Sequence, residues 1–141
     1  MHQIIIGDQT HDHIVIEIPF LKNPSSYTKE DDWFNANIDI ISGAFKGRVK
    51  NKVNLRFSEV RLFLKQIDSL YNSLKGTAEF TSTEEWVNIS VTGDGLGSFV
   101  AKGNVIDGHL DANTISFNIK FDINALHCLI VSLKQLLEYI N

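Results

Sequence analysis

Cysteine is nearly absent from this sequence, and proline and methionine are scarce. The 141 residues include one cysteine, two prolines and one methionine. One cysteine cannot form a disulfide within the chain and supplies too few thiols for a structural zinc site. We therefore expect Cys128 to be a small packed side chain, and we expect no metal and no cofactor.

The sequence also lacks any long apolar run. No segment approaches the roughly 20 apolar residues that a membrane span needs, and the first residues do not have the pattern of a signal peptide. A cytoplasmic protein with no membrane partner is the simplest interpretation. With 43% hydrophobic and 21% charged residues, the composition is that of an ordinary globular protein, and the length predicts a single domain over residues 1–141.

An excess of basic residues is missing as well. The formal net charge is −4, which disfavours nucleic acid as a direct ligand. Residues 1–75 hold 10 Lys and Arg against 9 Asp and Glu, whereas residues 76–141 hold 3 against 8. This asymmetry bears on the choice of partner rather than on the fold.

Alternating apolar and polar residues dominate the sequence and predict antiparallel strands. The alternation gives way to helical spacing twice, first from Val60 to Leu74 and again after Asp122. Ser58 and Asp122 are the predicted N-caps, and Gly76 is the predicted end of the first helix. The predicted fold is α+β, with one large antiparallel meander sheet and two helices packed on one of its faces.

The two strand-to-helix junctions match in residue type. Residues 54–58 and residues 118–122 both read Asn, aliphatic, basic, Phe and a cap residue, and a leucine follows each cap by four positions. The match has two possible explanations. Either the chain is a duplication of a β-hairpin and helix unit, or the two helix starts use the same kind of capping residues independently.

Candidate catalytic and metal-binding residues do not form complete sets. His11 and His13 could converge on one strand face, but they have no third ligand. His109 with Asp107 and Asp111 lies in a segment whose composition suits a turn. The remaining candidates are adjacent helical residues, His127 and Cys128, and a glycine-rich loop at 93–97 that joins two strands; neither suits catalysis or phosphate binding. We therefore expect no enzymatic activity.

Two further features are interpreted as structural. Basic residues lie along one face of a predicted strand, where they would keep the sheet face solvated; they are residues 46, 48, 50, 52 and 56. Trp33 and Phe45 lie on alternating strands beside turn glycines and are predicted to be buried.

Several spaced elements resemble the WapI-type immunity proteins. They are Asp32-Trp33, Gly43-x-Phe45-x-Gly47, the helix between Phe57 and Leu74, Gly76-x-Ala78-x-Phe80, Gly93-Asp94-Gly95-x-Gly97 and the closing Phe117-x-Ile119-x-Phe121-Asp122 segment. The resemblance implies a small bacterial protein that neutralises a polymorphic toxin, such as a tRNA nuclease carried on a cell-wall-associated protein. Two alternatives stay open, namely a small-molecule-binding or accessory domain with a pocket between sheet and helices, and a hydrolase.

The predicted partner-binding site is acidic. In a meander, the loops at 82–85 and 107–113 share one end of the sheet, and the loop at 93–96 lies at the other end. Glu84, Glu85, Asp107 and Asp111, with His109, would therefore gather at one end and attract a basic toxin surface. The sequence leaves the oligomeric state open.

Overall fold

The fold is a repeat of four strands and a helix. A computed structural model describes residues 1–28 and 32–140, with all side chains except those of residues 51 and 52. The first unit comprises β1 (His2–Gly7), β2 (His13–Ile18), β3 (Trp33–Ser42), β4 (Phe45–Arg56) and α1 (Phe57–Ser73), with a 3₁₀ turn at Pro24–Ser26. The second comprises β5 (Lys75–Thr81), β6 (Val87–Asp94), β7 (Ser98–Ile106), β8 (Thr114–Asp122) and α2 (Ile123–Ile140).

The strands form two sheets rather than the one large sheet expected. The strand orders are β1-β2-β3-β4 and β5-β6-β7-β8, and every pairing is antiparallel. Because α1 separates β4 from β5 in the chain and packs along β5, β5 begins a second sheet. The α+β class and the antiparallel meander are confirmed.

Each helix covers the first strand of a sheet. Helix α1 packs against β5, α2 packs against β1, and the two helices pack against each other. The inward residues of both sheets, such as Ile6, Ile16, Phe80 and Val91, join the helix stripes in one apolar core. The outward residues are mostly polar, as antiparallel sheets with one solvated face require.

The first helix begins and ends differently from the sequence-based expectation. Arg56 is its N-cap and Phe57 its first residue, so Ser58 is not the cap. At the other end Leu74, and not Gly76, takes the left-handed conformation with φ of 63°, and Gly76 lies in β5. The leucine closes the helix by donating its backbone N–H to the carbonyl oxygen of Leu70 over 2.8 Å.

The structural repeat does not follow the matched junction sequences. The matched residues are 64 positions apart, whereas the observed N-caps, Arg56 and Asp122, are 66 positions apart (122 − 56). The larger offset also aligns the buried residues Val60 with Leu126 and Ile67 with Leu133. The order of strands and helix is therefore repeated, but the sequence match pairs residues that lie two positions away from their structural counterparts.

Candidate partner-binding surface

The predicted acidic end is assembled as expected. Ser82 accepts the Glu85 N–H over 2.9 Å to close the β5–β6 turn, and the Ile106 N–H bonds to the Trp86 carbonyl over 3.0 Å, joining that turn to the end of β7. The β6–β7 turn lies at the opposite end, where the Gly95 N–H donates to the Leu74 carbonyl over 2.8 Å. The loops at 82–85 and 107–113 therefore share one end of the second sheet.

A small cluster lies at the centre of this end. The His109 ring packs on the Trp86 indole with centroids 4.4 Å apart, and its Nε2 lies 3.9 Å from Glu84 Oε2. The same carboxylate oxygen accepts a hydrogen bond from Trp86 Nε1 over 3.2 Å. Sequence reasoning missed Trp86; the available signal was that the N–H of a buried tryptophan usually finds a hydrogen-bond partner, which the neighbouring Glu84 provides.

The other predicted residues have different settings. Asp107 closes its own loop, since its carboxylate accepts the Asn113 backbone N–H over 2.8 Å and the Asn113 side-chain amide over 3.1 Å. Glu85 and Asp111 are exposed and have positive φ angles of 60° and 50°. Asp107 therefore has a structural function, while Glu84, Glu85 and Asp111 present charge to solvent.

A second polar cluster lies at the start of α1. The buried Asp32 carboxylate accepts hydrogen bonds from Arg56 Nε over 2.8 Å and from the Ser58 backbone N–H over 3.1 Å. Burial raises the pKa of Asp32, but the hydrogen bonds from Arg56 and Ser58 outweigh it and hold the pKa below its ordinary value. Asp32 thus caps α1 from a distant part of the chain, and Arg56 also lies over the Trp33 ring at 5.2 Å.

Glu59 links this helix start to the second half of the molecule. One carboxylate oxygen accepts the Arg56 backbone N–H over 2.7 Å, and the other accepts the Thr83 backbone N–H over 2.5 Å. Burial raises the pKa of Glu59 above its ordinary value, and the hydrogen bonds from Arg56 and Thr83 offset only part of this rise. The residue is therefore a structural bridge.

The side chains of the histidines near the start of β2 make contacts within the β1–β2 turn. His11 Nδ1 lies 2.8 Å from Thr10 Oγ1, and His13 Nδ1 lies 2.8 Å from the His11 carbonyl. Asp12 accepts the Gly43 N–H over 3.0 Å, which ties the β1–β2 turn to the β3–β4 turn. Within residues 1–28 and 32–140, no three His, Cys, Asp or Glu side chains are placed to hold a metal ion.

The two adjacent helical candidates, His127 and Cys128, lie on α2. His127 packs against the Tyr71 ring with centroids 5.8 Å apart, and Cys128 is exposed rather than packed as expected. A cleft of about 570 Å³ between β1 and α2 includes Cys128 in its lining, so an open sheet-to-helix cleft does exist.

The β3–β4 hairpin carries the predicted basic face. Lys46, Arg48 and Lys50 are exposed there, and Lys52 lies outside the described side chains. The Arg48 guanidinium lies 3.3 Å from Asp39 on β3, and both side chains remain partly solvated. Phe45 at the tip is 71% exposed, so the prediction that it is buried is wrong.

A groove separates the basic hairpin from the acidic end. Its volume is about 260 Å³, and its floor consists of the apolar residues Ile38, Ile40, Val105 and Ile115. Arg48 lines it from the hairpin, and Asp107, Asn113 and Thr114 line it from the β7–β8 loop and the start of β8. Arg48 of the basic hairpin and Asp107 of the acidic end therefore border one opening.

No helix among the described residues combines the length and apolar character needed to cross a membrane.

Comparison with known proteins identifies a family over nearly the whole chain. The family model for the WapI-like immunity proteins matches residues 4–141. Comparison with curated proteins and with solved structures gives no match. The matched range contains both sheets and both helices. The chain therefore belongs to the WapI-like immunity protein family.

Proposed function

We propose that this chain is an immunity protein that binds a cognate bacterial toxin in the cytoplasm and neutralises it by covering its surface. The family match over residues 4–141 carries the proposal. Immunity proteins of this kind are generally not enzymes, so binding is the proposed mode of action. The one apolar core shared by both sheets supports a single domain over the whole chain.

The acidic end is the proposed toxin contact. Glu84, Glu85 and Asp111 are exposed there, and His109 stands beside Glu84. Asp107 supports the contact by holding the loop that carries His109 and Asp111. If the toxin is a nuclease, it must attract phosphate, so its substrate site would be basic and complementary to this end. Such complementarity acts mainly by raising the association rate.

Co-expression tests the proposed function. A candidate toxic domain, sought among the genes beside this one, is expressed in a host with and without the chain, and colony formation is counted. We expect the chain to restore growth and to co-purify with the toxin. Continued killing by the toxin, with the chain present at high level, would overturn the proposal.

Charge reversal tests the proposed contact separately. Glu84→Lys with Glu85→Lys should slow association with the toxin and weaken its dependence on salt, since opposite charges steer the encounter. The matched control is Glu79→Lys with Glu138→Lys, which changes the net charge equally at exposed positions elsewhere. Equal association rates for the two double variants would place the contact elsewhere while leaving toxin binding intact.

A further inference from the structure

The outer face of the second sheet carries an open cavity of about 760 Å³. Ser90, Thr92, Val100, Lys102 and Lys120 line it, and each alternates along its strand with buried residues of the core. Side chains that alternate with buried ones lie on the opposite face of a sheet. The cavity is therefore on the solvated side of β6, β7 and β8.

This cavity lies towards the other end of the sheet from the acidic end. Asp94, the last residue of β6, and Ser98, the first residue of β7, also line it. The β6–β7 turn that joins these residues lies opposite the loops at 82–85 and 107–113. The residues that line the cavity are thus different from those assigned to the toxin contact.

Two lysines occupy neighbouring positions on this face. Lys102 on β7 pairs with Asn118 on β8, and Lys120 lies two residues further along β8. Diagonal neighbours of this kind are about 7–8 Å apart. Because lysine side chains are long and flexible, the two ammonium groups can pair with two carboxylates that have a similar spacing.

Neither lysine is neutralised by a described carboxylate. Within residues 1–28 and 32–140, no Asp or Glu side chain lies within ion-pair distance of Lys102 or Lys120. Residues 76–141 hold only 3 basic residues, and two of them are these lysines. The few positive charges of this acidic half are therefore concentrated on one face, where they repel each other.

The carboxylates nearest to the lysines are engaged elsewhere. Asp94 accepts a backbone N–H of its own turn over 2.7 Å, and Asp122 accepts one at the start of α2 over 3.0 Å. Glu79 on β5 accepts the Ser90 hydroxyl over 3.5 Å. A carboxylate that pairs with the lysines must therefore come from another molecule.

An acidic protein segment suits this cavity better than a nucleic acid does. The surrounding half of the chain holds 3 basic against 8 acidic residues, so it would repel a long phosphate backbone. Acidic side chains at every second position of an extended segment are about 6.6 Å apart, close to the spacing of the lysines. Leu96, whose N–H is held by Asp94, is 89% exposed in the adjoining turn, and protein contacts combine such apolar groups with charged ones.

We propose that the outer face of β6, β7 and β8 binds an acidic protein segment, with Lys102 and Lys120 each pairing with one of its carboxylates. The inference goes beyond the proposed toxin contact, which uses other residues. Its test needs no toxin, so failure of one proposal leaves the other standing.

NMR titration of the isotope-labelled full chain tests the proposal. The probe is a short synthetic peptide that alternates glutamate with threonine, and the control peptide has glutamine in place of each glutamate. At low salt we expect the glutamate peptide to shift the backbone amide signals of Ser90, Thr92, Val100, Lys102 and Lys120, and the glutamine peptide to leave them unchanged. Raising the salt to about 0.5 M should weaken binding, since exposed charges are screened.

Three results of this titration would overturn the proposal. They are shifts confined to another surface, equal shifts with the glutamine peptide, and equal affinity for succinate, which supplies two carboxylates without a peptide backbone.

Matched variants then test the two lysines. Lys102→Gln with Lys120→Gln should weaken the affinity for the glutamate peptide about 3-fold to 10-fold, as expected for losing two exposed ion pairs. Lys65→Gln with Lys134→Gln removes the same charge at exposed positions on α1 and α2 and should leave the affinity nearly unchanged.

A second control keeps the charge in place. Lys102→Arg with Lys120→Arg should retain the affinity, because the guanidinium group also pairs with carboxylates. All of these positions are exposed, so folded circular dichroism spectra are expected for every variant. Equal losses of affinity in the two glutamine variants would show a response to net charge alone and would contradict a site at Lys102 and Lys120.

Discussion

The two halves of the molecule start their helices in different ways. In the first half, the buried Asp32 just before β3 accepts hydrogen bonds from Arg56 and from the Ser58 backbone N–H at the start of α1. In the second half, Asp122 caps α2 itself by accepting the Ala125 N–H over 3.0 Å, and it is exposed. The same topology therefore tolerates either a buried long-range cap or a local one, and the difference should appear in stability.

The largest expected difference concerns the first helical residues. Phe57 is fully buried, with its ring 4.5 Å from that of Phe34 and 4.9 Å from that of Tyr27 between centroids. Ile123, its counterpart, is only partly buried. Phe57→Ala should lower the free energy of unfolding by about 3–5 kcal/mol, and Ile123→Ala by less than about 2 kcal/mol. Urea unfolding measures both, and equal losses would remove the distinction.

The next largest difference in stability is expected between the two capping residues, Asp32 and Asp122. Asp32→Ala leaves the Arg56 guanidinium and the Ser58 N–H without their carboxylate and should cost about 2–4 kcal/mol. Asp122→Ala removes one local cap and should cost about 1 kcal/mol. Thermal and urea unfolding of both variants test the order. A larger loss at Asp122 would show that the long-range cap contributes little.

The dependence of stability on pH should differ between the two acids at the start of α1. The lowered pKa of Asp32 gives stability that is present above the ordinary carboxyl pKa and is lost as pH falls through the folded value. The raised pKa of Glu59 acts in the opposite direction, and its contribution falls as pH rises from the ordinary towards the folded value.

Conservative variants separate these contributions. The stability difference between wild type and Asp32→Asn should shrink as pH drops from about 5 to about 3, near the ordinary Asp pKa. The difference between wild type and Glu59→Gln should grow over the same drop. Urea titrations across this range measure both, and parallel trends would show that one assignment is wrong.

The smallest expected effect is at Phe45. The side chain is mostly solvated, so Phe45→Ala should change the free energy of unfolding by less than about 0.5 kcal/mol. Urea unfolding of the two proteins measures the change. A loss of unfolding free energy above about 2 kcal/mol would show that Phe45 packs in the core.

Local patterns in the sequence predicted much of the fold. Alternation gave the strands, and three- and four-residue spacing gave the helices, because both depend on which neighbours share a face. Asp122 as a cap and the shared end of loops 82–85 and 107–113 also followed from short-range rules.

Features that depend on distant partners could not be predicted. Asp32 caps a helix 26 positions along the chain (58 − 32), and no local pattern links these residues. The division into two sheets depends on α1 packing along β5. Phe45 alternates as a core residue, but its hairpin extends beyond the core that would bury it. The position of His109 in the 107–113 loop predicted that it lies at this end of the sheet, whereas its contact with the Trp86 ring joins two different loops and had no local signal.

The most direct test of the immunity function is an inhibition titration. The purified chain is added to the purified toxic domain against which it protects cells in the co-expression test, and residual toxin activity is measured at each ratio. We predict that activity falls steadily and reaches zero near one chain per toxin, with a complex of matching stoichiometry. Full toxin activity at a several-fold excess of folded chain would contradict the account.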